Sequence, residues 1–306
     1  MTVTRPPSDD IEAAPRKGRV HRGCELVVAV PRRTLGNLVR WGRVAVRAPV
    51  AALPRPPRWT YAVVAVTLIA VVASMFLIDV AASQWALHLP LKLSGAFQPI
   101  TDFGLASRFL VPLGFALLVL AAVMSPALPR LTQGFIAVLA ARCGFLFLAI
   151  ALPGLFDTIV KRLIGRARPF VGGHDDPFAY MPFIWRPAYA AMPSGHATTA
   201  AAAAVAIGAI WPRARGVMWL YALIILLSRV VVLAHHPSDV IAGVLFGVLG
   251  ALMVRRWFAA RRLVFSATDL RAYPGPSFKR IKAAARQVIA GRGDDCRPIA
   301  PSRSAP

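Results

Sequence analysis

Three short stretches of this 306-residue sequence carry groups suited to chemistry on an anion. They are Lys161-Arg162-Leu163-Ile164-Gly165-Arg166-Ala167-Arg168-Pro169, Pro193-Ser194-Gly195-His196, and Ser228-Arg229 followed after five residues by His235-His236-Pro237-Ser238-Asp239. Lys161, Arg168 and Arg229 supply three cations whose donors suit phosphate oxygens, with arginine offering a planar bidentate fork. Ser194 adds a hydroxyl, and the Gly195 N–H at a helix start adds a dipole-aligned donor. Two imidazoles, His196 and His235, can serve as nucleophile, general acid or general base. Asp239 lies four residues after His235, so on a helix its carboxylate can accept from one ring nitrogen and leave the other free to attack. No carboxylate cluster stands near this set to hold magnesium or zinc. Cys24, Cys143 and Cys296 lack CxxC or metal-ligand spacing, so neither a disulfide framework, a metal nor a cofactor is expected. The chemistry predicted is metal-independent phosphoryl transfer through a phosphohistidine.

The elements that position these groups follow from composition. The chain is 57% hydrophobic yet carries a net charge of +23, a combination foreign to ordinary soluble enzymes. Residues 1–58 and 255–306 hold +17 of that charge, leaving +6 on the 196 residues between them. The middle is apolar enough to live in lipid. It contains six candidate spans: Thr60–Ile78, about Phe109–Met124, Cys143–Leu163 after an apolar lead-in at Leu131–Ala141 that reads as interfacial or as an early turn of the same helix, Ala197–Trp211, Val217–Ala234 and Val240–Val254. The expected fold is an all-α, polytopic integral membrane protein with six transmembrane helices. Its organisation is a basic N-terminal tail at 1–58, a membrane domain at 59–254 and a basic C-terminal tail at 255–306.

Arginines flank the first and last spans, and Arg130, Arg142, Arg213 and Arg215 fall on the same side, so both termini are expected in the cytoplasm. The 81–107 loop carries only Lys92. All three chemical clusters then meet on the opposite, outer face. Lys161, Arg168 and Arg229 sit there against the positive-inside bias, which calls for a functional reason. Asp157, one turn before Lys161, can pair with it. In the tails, residues 1–20 read as unstructured. Apolar residues alternate with basic ones at helical spacing around Arg33–Arg47 and again around Phe278–Ile289. Both an in-plane helix on anionic phospholipids and a solvated tail fit that pattern. The basic residues flank spans and carry no nucleic-acid-binding motif, so no nucleic acid partner is expected.

The patterns K-x6-R-P (Lys161, Arg168, Pro169), P-S-G-H (Pro193 to His196) and S-R-x5-H-x3-D (Ser228, Arg229, His235, Asp239) resemble the three signature motifs of the type 2 phosphatidic acid phosphatase and vanadium haloperoxidase superfamily. In order and with six spans, they make a specific match over roughly residues 59–254. The resemblance implies that His235 is the nucleophile, Asp239 its partner, and His196 the acid protonating the leaving oxygen. It implies further that Lys161, Arg168, Ser194, Gly195 and Arg229 bind the phosphoryl group. The implied activity is hydrolysis of a lipid phosphomonoester or diphosphate in the bacterial cytoplasmic membrane. Implied substrates are undecaprenyl diphosphate, phosphatidylglycerol phosphate, phosphatidic acid or a lipid A phosphate. Interception of the phosphohistidine by a second lipid would give a phosphotransferase instead. A vanadate-dependent haloperoxidase fits less well, because those members are typically soluble. A non-enzymatic lipid-phosphate binding protein would have no need of His196, His235 and Asp239 together.

The neighbouring polar residues have plainer expectations. Arg162 and Arg166 read as interfacial anchors, and His236 as an interfacial residue or a support for its neighbour. His174, Asp175 and Asp176 read as solvated loop groups, with substrate recognition as the alternative. The aromatic loop from Val171 to Ala191 reads as a headgroup-level anchor or as the lip over which a lipid passes.

Overall fold

The structure is a computed structural model that describes residues 20–275, with side chains described from residue 30. The expectations for residues 1–19 and for the Phe278–Ile289 pattern lie outside the described residues. The described chain forms nine helices: α1 (Val20–Val46), α2 (Arg58–Leu77), α3 (Asp79–Leu87), α4 (Leu91–Asp102), α5 (Ser107–Val123), α6 (Arg130–Ile164), α7 (Gly195–Ile210), α8 (Arg215–Val231) and α9 (Pro237–Ala260). Among the described residues, β pairing is limited to two isolated bridges, Arg166 with Tyr180 and Phe265 with Ala272. The protein is an all-α, multi-pass membrane protein.

Among the described residues, five helical stretches are long and apolar enough to cross a membrane: α2, the α4–α5 stretch, α6, α8 with its lead-in turn, and α9. The sixth expected span is α7, which has 16 residues. At 1.5 Å per residue it is about 24 Å long, short of the roughly 30 Å hydrocarbon layer. Protein rather than lipid surrounds it: α6, α8 and α9 all pack on it, and Ala200 to Ala204 are at most 1% exposed. Small side chains all round let three neighbours approach one central rod.

Two expected boundaries change. The 81–107 connection is not a plain loop, because α3 and α4 fill most of it. The third span begins at Arg130 rather than Cys143, so Leu131–Ala141 is the start of the same helix, which continues through Pro153.

Successive helices from α5 to α9 are joined by connections that return the chain to the bundle. The C-terminal ends of α6 and α8 therefore lie beside the N-terminal ends of α7 and α9. Glycines set how closely α9 approaches α7. A Cβ on Gly243 would lie 2.5 Å from the Ser194 carbonyl oxygen, and one on Gly247 would lie 2.4 Å from that of Thr198. This Gly-x-x-x-Gly face holds the start of α9 against the start of α7, where the Ser194 N–H donates to the Asp239 carbonyl oxygen at 3.0 Å. Gly247→Ala should force the helices apart and destabilise the protein by about 1–3 kcal/mol, the usual penalty of overpacking. Thermal unfolding in detergent would show it as a lowered midpoint; an unchanged midpoint would mean that the contact is slack.

The opposite end is clamped by polar side chains. Asn37 of α1 donates to the Ala121 and Met124 carbonyl oxygens at 2.9 and 3.0 Å, and Arg33 donates to that of Ala122 at 2.9 Å. These bonds satisfy carbonyls that the end of α5 leaves without helical partners. Beyond α9, residues 264–273 fold back as a tight turn that buries Phe265 against Phe145, with ring centroids 4.7 Å apart.

Candidate active site

Four helix ends meet at one end of the bundle and carry the expected groups. Lys161 occupies the last turn of α6. Gly165 ends that helix at φ 64°, the left-handed conformation glycine adopts at a C-terminus without steric cost. A Cβ there would meet the Met181 carbonyl oxygen at 1.8 Å, so the chain leaves α6 tightly against the 181–183 segment. That exit delivers Arg166 and Arg168 to the site.

Lys161 Nζ pairs with Asp157 Oδ2 at 2.7 Å, and Thr198 Oγ1 donates to Asp157 Oδ1 at 3.0 Å. The ammonium thus stands beside the α7 N-terminus, 3.1 Å from where a Gly195 Cβ would be. Ser194 holds the N-cap position, yet its hydroxyl does not cap the helix. Its Oγ is buried without a partner, as are Arg168 Nε and Arg229 Nε. Buried donors in proteins are normally satisfied, so three orphans beside a lysine and a helix N-terminus form a pocket built for an anion. Arg229 is held by Nη1 donating to Thr101 Oγ1 at 2.5 Å. This contact brings the α4–α5 turn onto the site, a part that sequence reasoning missed. Burial lowers the Arg168 pKa, partly opposed by Asp239 and reinforced by Arg162.

His235 is buried in the turn between α8 and α9. Its Nδ1 lies 2.8 Å from the Ala191 carbonyl oxygen and 3.8 Å from Asp239 Oδ2. A carbonyl can only accept, so Nδ1 carries the proton and Nε2 keeps its lone pair. The hydrogen bond that sets the tautomer therefore goes to Ala191, with Asp239 acting from slightly farther away. Burial pushes the His235 pKa down to about 4, with Arg229 and Arg168 adding to the effect and Asp239 opposing it. The ring is neutral at ordinary pH. His196, on the first turn of α7, lies within electrostatic reach of Arg229, His235, Lys161 and Arg168.

Two sequence expectations are corrected here. Arg166 is no interfacial anchor: it is 0% exposed, with Nη2 2.7 Å from Asp79 Oδ2, Nη1 2.5 Å from Asp239 Oδ1 and 2.6 Å from Ser238 Oγ, and Nε donating to the Pro177 carbonyl. Burial opposes its charge, but Asp239 and Asp79 outweigh it and raise its pKa. Asp175 is not a solvated loop charge, since its Oδ1 receives His236 Nε2 at 3.0 Å and its side chain is 1% exposed. His236 is fully buried between Asp175 and Asp239. Burial would lower its pKa, yet the two carboxylates raise it. The reason is common to Arg166 and Asp175: each charge finds an opposite partner that sequence distance conceals, whereas His236 takes the supporting place beside Asp239 that is one of its two expected readings. Asp79 was missed altogether. It accepts from Ser74 Oγ at 3.0 Å and Ser238 N at 3.0 Å, and Ser238 Oγ donates to its Oδ2.

Arg162 remains half-buried, its guanidinium 5.3 Å from the Trp185 ring. His174 is exposed, and Phe183 and Trp185 are 73% and 78% exposed. Among the described residues, no three His, Cys, Asp or Glu side chains gather as a metal site. The nearby carboxylates are occupied by Lys161, Arg166 and His236. A cavity of about 320 Å³ reaches Lys161, Gly195 and His196 past Gly104, Leu110 and Leu155, so the pocket has an apolar approach. A larger groove of about 630 Å³ runs between α6 and α9 around Leu152, Phe246 and Met253. Among the described residues its lining carries no charged group.

Residues 142–263 match the PAP2 superfamily. The chain is 34% identical over 227 residues to a protein of Rhizobium johnstonii named Lipid A 1-phosphatase, covering 74% of this chain and 89% of the relative. It is 38% identical over 121 residues to a protein of the same name from Rhizobium etli, covering 40% of this chain and 52% of the relative. No solved structure matches the chain.

Proposed function

The chain belongs to the PAP2 superfamily, and from that premise we propose that this lipid phosphatase removes the 1-phosphate of lipid A through a phosphohistidine on His235. The observation that carries the chemistry is the orphaned trio of Ser194 Oγ, Arg168 Nε and Arg229 Nε beside a histidine whose Nδ1 is engaged by Ala191. The substrate rests on the relative matched over 89% of its length.

His235 Nε2 attacks phosphorus while the bond from phosphorus to the lipid oxygen breaks, and His196 gives its proton to that departing oxygen. Lys161, Arg168, Arg229, Ser194 and the Gly195 N–H take up the charge on the three equatorial oxygens. Water then attacks the phosphohistidine, His196 accepts the water's proton, and phosphate leaves with His235 restored. Asp239 and the Ala191 carbonyl hold the nucleophilic ring throughout.

The site would face the periplasm from the inner membrane, with the termini in the cytoplasm. The arginine-rich helix ends opposite His235 support that orientation by the positive-inside rule. The test is release of free phosphate by the purified full chain from lipid A, phosphatidic acid, phosphatidylglycerol phosphate and undecaprenyl diphosphate in detergent. Lipid A should turn over at least about tenfold faster than the others, a discrimination within reach of ordinary pocket contacts. Faster release from another lipid would overturn the substrate. Loss of lipid phosphate without free phosphate would make the protein a phosphotransferase.

A further inference from the structure

At the end of the bundle opposite His235, a cavity of about 390 Å³ is lined by Ala209, Pro212, Arg215, Arg255, Arg271 and Ala272. Each arginine is engaged along one edge. Arg215 Nε donates to the Gly208 carbonyl at 3.0 Å. Arg255 donates through Nε at 3.1 Å and through Nη2 to the Leu270 carbonyl, with its guanidinium 5.5 Å from the Phe265 ring. Arg271 Nε stands 3.7 Å from Asp269 Oδ2. These contacts hold Arg215 and Arg255 in place and leave Arg271 exposed at the rim, with further guanidinium N–H groups on each for a ligand, since each fork has five donors.

The charge around them is unbalanced. In the described segments at this end, 30–58, 124–142, 211–216 and 255–275, Asp269 is the one carboxylate among 16 arginines. Three guanidinium groups around one cavity repel one another, and a single anion bridging them turns that repulsion into charge-assisted hydrogen bonds. The cavity lies where α7 ends and α8 begins, beside the half-exposed Trp211, a residue type that favours the level of lipid headgroups. Basic pockets between helix ends at that level suit phosphate headgroups. The small walls at Ala209, Pro212 and Ala272 leave apolar room beside the cations.

We infer that this cavity binds a phosphate group, that of an anionic phospholipid headgroup, at a site separate from the catalytic one. The ligand stays bound rather than reacting, because among the described residues no histidine or other nucleophile lines the cavity. The inference does not depend on the substrate proposed above.

The test uses the purified full chain, with phosphatidylglycerol, phosphatidylcholine and inorganic phosphate as separate probes, reading bound lipid by native mass spectrometry and stabilisation by thermal unfolding. Arg271 has an 86% exposed side chain, so Arg271→Gln should leave fold and turnover intact. It should weaken phosphatidylglycerol binding about fivefold, the worth of one surface arginine at an anionic headgroup. Arg255→Gln/Arg271→Gln should weaken it about 25-fold if the two contacts add. Inorganic phosphate that stabilises the protein with the same dependence on Arg271, while phosphatidylglycerol does not bind, would keep the phosphate site and assign it to the free anion. Binding of phosphatidylglycerol equal in wild type and both variants, or equal binding of phosphatidylcholine, would overturn the inference.

Discussion

His235→Ala should fold and yet lose roughly 10⁴-fold or more of its turnover, the scale on which removing a nucleophile is felt. Folding should survive because the ring's one close hydrogen bond is to the Ala191 carbonyl, and a net loss of about 1 kcal/mol is expected for such a bond. His196→Ala separates the two halves of the reaction. With a substrate whose leaving group departs without a proton, such as p-nitrophenyl phosphate, this variant should still phosphorylate His235. It should then dephosphorylate about 10²–10⁴-fold more slowly, the ordinary contribution of a general base. A stoichiometric burst of p-nitrophenol followed by near silence, with base-stable and acid-labile phosphate on the protein, is the expected result. Covalent phosphate surviving in His235→Ala would remove His235 from the nucleophile's role.

The parts of this design legible in the sequence are those written locally. Apolar runs become α2, α5, α6, α8 and α9 because lipid rewards a continuous apolar stretch wherever it lies, and the small apolar residues of α7 suit the protein-packed centre. The three polar clusters share one end because the long 165–194 segment after α6 and the short turns after α7 and α8 fold successive helices back beside one another. The Asp157–Lys161 pair was readable too, since four residues on a helix make neighbours. Arg166 was not: it stands in a run with Lys161, Arg162 and Arg168, and nothing local distinguishes the one that is buried.

Its partner Asp79 lies 87 residues away, at the first turn after α2, where an acid looks like the polar flank of a span. A usable signal was present all the same. The 196-residue middle has six acids, and four of them, Asp79, Asp157, Asp175 and Asp239, are now seen with buried side chains and basic partners. Acids this scarce in an apolar chain are expensive, and each implies a partner. The α3 and α4 helices escaped for another reason, as they are short and their pattern is interrupted by Pro90 and Pro99.

Arg166→Met should be the most destabilising single change in the site. Asp79 and Asp239 are each 0% exposed, and the substitution leaves both without their guanidinium. Breaking a buried ion pair from one side costs about 3–5 kcal/mol, because the remaining charge keeps its desolvation penalty without compensation. Little folded protein should be recovered, with a large fall in the unfolding midpoint of what remains. A plain loss of packing would predict that further changes nearby only add to the damage. The ion-pair account predicts the reverse for one of them: Arg166→Met/Asp79→Asn should be more stable than Arg166→Met alone. Replacing the stranded carboxylate with an amide keeps its shape, lets Oδ1 go on accepting from Ser74 Oγ and Ser238 N, and reverses the bond at Ser238 Oγ so that the amide N–H donates, while removing the unpaired charge. The coupling should be about 1–3 kcal/mol, the range for residues in direct contact. In the wild-type background the same Asp79→Asn should be destabilising, since there it takes a charged partner from Arg166. A midpoint lower in the double variant than in Arg166→Met would show that Arg166 serves by filling space rather than by neutralising Asp79. A change of sign with background has only the electrostatic explanation, because the volume removed at position 79 is the same in both.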